Sequence, residues 1–193
     1  SLVQENQYRY QSTPPYELIS HKNLSAEEVL YLKQFEDIFD RYYNSKRFRF
    51  SIHYLLGKMD AVTLFNRLLE YHDTHGLLMN PVSLDEYYRI FRDTFYPAPT
   101  LMEQDLLKLD YLYAQRSFRL PGILSSKSTP PVKTWKKDRK TPVIPFNHDI
   151  EICRSQAILK VSANTVYYAI AHSQNGEGYF SRPTVNAIAE SNA

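Results

Sequence analysis

At 193 residues, 43% hydrophobic and 23% charged, the chain has room for one domain, or one domain plus an arm, and no apolar run approaches the ~20 residues a membrane span needs. Its one cysteine, Cys153, excludes an internal disulfide and any multi-cysteine metal or cluster site within this chain. The net charge of +2 hides a split, with 14 Lys/Arg against 16 Asp/Glu in residues 1–120 and 9 against 5 in residues 121–193.

The opening SLVQENQYRY has neither the basic start nor the apolar block of a secretory signal, so a reducing cytoplasm is the expected compartment. Residues 1–23 read as an extended lead-in from a preceding domain. Pro14-Pro15 removes two backbone donors and biases Thr13 away from the helical region. Helix-start signals follow. Ser25 can cap while Glu28 reciprocates, with Leu24 and Val29 as a staple; Ser83 with Glu86 and Thr100 with Glu103 repeat the device. The starts share no period, so this is no solenoid.

Behind the first cap, Val29, Leu32, Phe35, Phe39 and Tyr42 recur at helical spacing. A shorter helix is expected from Phe48 to Leu56, interrupted at Gly57. Asp60 caps the next, where Val62, Phe65, Leu68, Leu69 and His72 form one face before Gly76. Tyr87, Ile90, Phe91 and Phe95 stripe the fourth helix, and Leu106, Leu109 and Tyr113 the fifth. Residues 24–120 are thus expected to form a compact bundle of four to five amphipathic helices, making the fold mainly α. Thirteen of the 16 tyrosines precede residue 120. Such rings suit a helical core with wet edges, or a surface that buries late against a partner.

Residues 121–148 change character, with prolines and the run KTWKKDRK, and read as an extended Pro-rich basic linker. Residues 149–193 hold QAILKVS, TVYYAIAHS and an Asn-Gly turn, the content of a β-hairpin or small three-stranded sheet.

Few side-chain groupings suggest chemistry. Glu36 and Asp40 lie one turn apart, but Lys33 and Arg41 neighbour them and no third ligand is at hand, so a solvated charged face is expected. His72 and His75 are weak candidates for a metal; in the last turn before Gly76, capping of exposed carbonyls is the simpler role. Lys133, Trp135, Lys136, Lys137, Arg139 and Lys140 combine phosphate-binding charge with a stacking ring, although the near-neutral total argues against nucleic acid as the partner. No nucleophile elbow, P-loop or dinucleotide fingerprint is present, and Cys153 reads as a small hydrophobe.

Residues 12–48, STPPYELISHKNLSAEEVLYLKQFEDIFDRYYNSKRF, resemble the domain of unknown function that follows the cobalamin-binding and radical SAM domains of certain bacterial proteins. The likeness rests on PPYELI, LSAEE, LKQFEDIFDRYYNS and the continuation RFRFSIHYLL. That family commonly has Gly after Asn-Ser, where Lys46 stands here; this removes the easy left-handed cap, although Asn44 can also adopt that conformation. The resemblance implies a parent enzyme using a 4Fe–4S cluster, S-adenosylmethionine and cobalamin, for methyl transfer or a related radical reaction. Its upstream domains would be this chain's partners in the same polypeptide. No catalytic residue and no cofactor is implied for this domain itself.

Tyr16, Glu17, Tyr43, Asn44 and Arg47 are the candidate inter-domain face, at the arm and at the end of the first helix. The alternative is a stand-alone helical module that contacts nucleic acid or an acidic partner through the basic arm. A metal enzyme built on His72 and His75 is the third reading.

Overall fold

The computed structural model describes residues 5–78, 80–114, 120–124, 143–149, 160–172 and 178–181. Strands β1 (Arg9–Tyr10) and β2 (Leu18–Ser20) pair antiparallel. The lead-in is therefore not simply extended; it folds back on itself. Two prolines cannot donate, so they occupy the turn: Pro14-Pro15 is cis, and the Tyr16 N–H closes onto the Thr13 carbonyl at 3.0 Å.

Helix α1 (Ala26–Phe39) begins with the expected capping box, Ser25 and Glu28 each satisfying the other's backbone. It runs into a π-turn, Asp40–Asn44, where the Ser45 N–H reaches back five residues to Asp40. The turn buries Tyr42 completely and leaves Tyr43 outside. The left-handed residue that closes it is Lys46, at φ +60°, and not Asn44. A left-handed lysine costs roughly 1 kcal/mol, which a glycine would not.

Helices α2 (Arg49–Leu56), α3 (Ala61–Thr74), α4 (Leu84–Phe95) and α5 (Leu101–Ala114) complete the bundle. Asp60 and Ser83 cap through their own side chains, with Glu86 paired to Arg89 at 3.2 Å in place of the expected return bond, and Thr100 with Glu103 forms a second reciprocal box. Helix α3 ends in a Schellman motif, Leu77 N–H to His72 C=O at 2.7 Å and Gly76 N–H to Asp73 C=O at 3.0 Å, with Gly76 at φ +65°.

The core centres on stacked rings. Phe48 lies parallel to Phe91 with centroids 4.4 Å apart, and Tyr42, Tyr88, Ile38, Leu64 and Leu68 close around them. Several expected faces are rotated. Phe35, Phe39 and Phe95 are half-buried, whereas Ile38, Leu64 and Tyr88 are fully enclosed. Leu32, Val62 and Tyr113 point outward. In α5, Leu107 and Tyr111 join the main core, and all of Asp105–Leu112 is buried.

The reason α5 is enclosed all round is a second layer. Strands β3 (Val143–Asp149), β4 (Lys160–His172) and β5 (Gly178–Ser181) form an antiparallel sheet in that order. Strand β3, which begins inside the stretch read as linker, packs on α5. Its Phe146 is buried with the Lys108 ammonium 5.6 Å from the ring centroid. Cys153, the Asn175-Gly176 turn and the basic run from Lys133 to Lys140 lie outside the described residues. No helix among the described residues is long and apolar enough to cross a membrane.

Candidate functional site

An aromatic ladder runs along one flank of α1. Tyr31, Phe35, Phe39 and Tyr43 follow one another at four-residue steps, which aligns them on a helix surface. Phe65 of α3 lies beneath three of them, with centroids 6.1, 4.9 and 6.2 Å from Phe35, Phe39 and Tyr43. The Tyr31 hydroxyl donates to the Asn66 side chain at 2.8 Å, tying the ladder to α3. Tyr43 keeps 49% of its surface exposed, Leu32 49% and Val62 58%, so this face is apolar and open among the described residues. Glu36 and Asp40 are exposed beside it, the solvated acids expected. The cations near them are engaged elsewhere: Lys33 with Glu17, and Arg41 with Asp37 at 2.8 Å.

The predicted inter-domain residues do not form one cluster. Glu17 is tied to Lys33, which brings the arm against α1, and Tyr16 beside it is 60% exposed at φ +55°. Tyr43 lies ten residues further along, about 15 Å at the helical rise. Asn44 is exposed and donates to Asp40. Arg47 is half-buried, its guanidinium 5.0 Å from the Tyr87 ring centroid, which makes it a packing residue. The exposed apolar side chains thus fall in two places, Tyr16 on the arm and the ladder along α1. Tyr31 was not among the predicted residues, although the unbroken four-residue spacing of aromatics from 31 to 43 was a legible signal.

His72 and His75 occupy different environments. His72 is fully buried, not a solvent-side cap, and its Nε2 lies 2.9 Å from the Tyr42 hydroxyl. Burial, with Arg41 second, holds its pKa below the ordinary imidazole value. His75 is exposed, stacked on Tyr71 at 4.0 Å, with Nδ1 2.8 Å from the Tyr71 carbonyl. Among the described residues no three His, Cys, Asp or Glu side chains come together as a metal site.

A second buried polar cluster joins α2 to α5. Asp110 accepts the Phe50 N–H at 2.7 Å and the Ser51 N–H at 2.9 Å, capping the start of α2 from a distant helix. Burial pushes its carboxyl up to about 7, against the opposing pull of the Ser51 hydroxyl and the two N–H donors. The Tyr96 phenol, pushed up by burial, sits beside Ser51 and completes the cluster. All three side chains are closed to solvent, so this Asp–Ser pair supports packing and offers no nucleophile to a substrate. A shallow cleft of about 190 Å³ lies between Arg92, Pro97, Pro99, Gln104, Leu107 and Leu124. The Gln104 amide in it is already spent on the Pro99 carbonyl at 3.1 Å.

In comparisons with known proteins, a family described as "Protein of unknown function (DUF4080)" matches residues 4–176. No curated protein and no solved structure matches.

Proposed function

The chain belongs to the DUF4080 family, and from that premise we propose that it is a non-catalytic accessory domain of a cobalamin-dependent radical SAM enzyme. In this reading it docks on the catalytic barrel of the same polypeptide and shapes the substrate channel. The observation that carries the docking is the open aromatic ladder from Tyr31 to Tyr43, with the arm at Tyr16 tied against the same helix through Glu17 and Lys33. Contiguous exposed apolar surface rimmed by charge marks an interaction site more often than a free surface. The link to radical SAM and cobalamin domains rests on the resemblance of residues 12–48.

The donor set of this chain does not suit the cluster of such an enzyme, which needs three thiolates where one cysteine is present. The cluster, S-adenosylmethionine and cobalamin belong to the upstream domains, and no step of the radical reaction falls to a residue described above. A reducing cytoplasm is the proposed compartment.

The test is to read the coding frame ahead of Ser1 over roughly 300–400 codons, one or two domains' length. A C-x-x-x-C-x-x-C triad within a repeating βα pattern there supports the reading. A frame without it removes the enzyme assignment. In the intact protein, amide exchange along α1 should be slower than in the excised chain; equal rates would leave the ladder without a docking role.

A further inference from the structure

Each exposed tyrosine of the α1 ladder has a carboxylate one turn before it. Glu27 precedes Tyr31 by four residues and Asp40 precedes Tyr43 by three, the spacings at which helix side chains are neighbours. Tyr31 is 39% exposed and Tyr43 49%, and Glu27 and Asp40 are exposed as well. Neither acid has an ion-pair partner among the described residues, and the Asp40 carboxylate accepts the neutral Asn44 amide. Glu36, one turn before Asp40 on the same row, is likewise exposed and without an ion pair among the described residues.

This acidity is local. Residues 26–44 hold Glu27, Glu28, Glu36, Asp37 and Asp40 against Lys33 and Arg41, a balance of −3. Of the 14 bases and 16 acids in residues 1–120, two and five lie there, which leaves 12 against 11 elsewhere, a balance of +1. Both cations are already committed, Lys33 to Glu17 and Arg41 to Asp37. The negative charge of the bundle therefore stands along its open aromatic face.

Such a rim selects among partners. Nucleic acid and anionic lipid would meet carboxylates where they need cations. A purely apolar surface would cover Tyr31 and Tyr43 but strip water from Glu27 and Asp40 with nothing in return. Lysine answers the charge alone, as a compact and strongly hydrated cation. Arginine answers both groups, its planar guanidinium stacking on the phenol ring while its fork bonds the carboxylate beside it. The bundle uses the ring half of this pairing internally, with Arg47 5.0 Å from the Tyr87 centroid and Arg67 5.5 Å from that of Phe95.

We propose, resting on the docking reading above, that the partner is a protein surface presenting two arginines to the ladder, one to Tyr31 with Glu27 and one to Tyr43 with Asp40. The two tyrosines are 12 residues apart in sequence, about 18 Å at the helical rise. Between them Leu32 and the half-buried Phe35 and Phe39 receive an apolar ridge of the same partner.

The experiment is titration of the nitrogen-15-labelled full chain with three synthetic amphipathic helices, read as amide shifts. All three carry the same leucine ridge. They differ at two flanking positions, spaced as Tyr31 and Tyr43 are, which hold arginine, lysine or glutamate. The arginine peptide should shift the amides from Glu27 to Asn44, and high salt should weaken it. The lysine peptide should bind the same residues more weakly, and the glutamate peptide should not bind. Glu27→Gln combined with Asp40→Asn, both at exposed positions, should cost the arginine peptide about five- to tenfold in affinity. No binding of the arginine peptide, shifts away from α1, or lysine or glutamate peptides that bind as tightly would each overturn the proposal. The peptide comparison is read on the unmutated chain, so it does not depend on a variant folding. It also fails separately from the enzyme assignment. A cysteine triad upstream without arginine preference removes the arginine partner and leaves the enzyme. Arginine preference without the triad supports the arginine partner and removes only the upstream enzyme as its bearer.

Discussion

Helices α1 and α5 are both 14 residues long, and both mix aliphatic, aromatic and charged side chains without a sharp polar face. They end in opposite situations. Helix α5 buries eight consecutive residues, among them Asp105, Lys108 and Asp110, while α1 leaves Leu30, Tyr31 and Leu32 exposed. The difference lies in what the chain brings to each helix. The bundle covers one side of α5 and strand β3 the other, whereas α1 has the bundle, the hairpin arm along one edge, and an aromatic ladder that nothing among the described residues covers. Charge inside α5 is tolerated because it is answered locally. Lys108 lies 3.4 Å from Asp105 and over the Phe146 ring, and Asp110 caps α2.

The largest expected effect tests the cover on α5. Phe146→Ala should cost about 3 kcal/mol, the usual range for emptying a buried aromatic site, while Leu32→Ala on the open face should stay within about 0.5 kcal/mol. Urea unfolding of the two variants measures the contrast. Equal losses would mean that β3 does not hold α5 as described.

Asp110 comes next. Asp110→Ala strips the acceptor from two N–H groups at the start of α2 and should cost about 2 kcal/mol or more. Its titration gives a sharper readout. The folded state holds this proton up to about pH 7, while the unfolded chain releases it near 3.8. Between those values the native protein binds more protons, so the group's contribution is full below pH 4 and is lost as pH rises through 7. The slope is about 1.4 kcal/mol per pH unit at most. Melting curves of Asp110→Asn against the unmutated protein from pH 4 to 8 isolate it, because surface carboxylates contribute equally to both. Parallel curves would place the Asp110 titration outside this window.

These sites also mark where sequence reading runs out. The caps at Ser25, Asp60, Ser83 and Thr100 were legible because each is a local exchange within three residues, and the Gly76 stop is equally local. The rotation of the core faces was not. Tyr42 is buried as its place in the first stripe implies, but Ile38, Leu64 and Tyr88 are enclosed where Phe35, Phe39 and Phe95 were expected to be. The stripe Leu106, Leu109 and Tyr113 presumed one buried side, and α5 has two. Asp110 carries no local signal, because its partners Phe50 and Ser51 are 60 and 59 residues away. His72 read as a cap because Tyr42, its partner, is 30 residues distant. Long-range polar pairs leave no mark on local periodicity.

The smallest effects bear on the open side of α1. Tyr43→Ala removes a half-exposed ring that touches Phe39 at 4.8 Å and Phe65 at 6.2 Å, so in the isolated chain it should cost no more than about 1 kcal/mol. Docking on a parent domain should make the same substitution costlier in the intact polypeptide, since the ring would then be enclosed. A ratio of the two losses near one separates a free surface from a docked one. Glu17→Gln should matter less still. The Glu17–Lys33 pair is exposed on both sides and such pairs contribute about 0.5 kcal/mol, screened by salt. If Glu17→Gln instead loosened the β1–β2 hairpin, seen as faster amide exchange at Leu18 and Ser20, the arm would be held by that single contact. If exchange there is unchanged, the turn at Pro14-Pro15 and the strand pairing hold the arm by themselves. The arm is then in place beside α1 before any partner arrives.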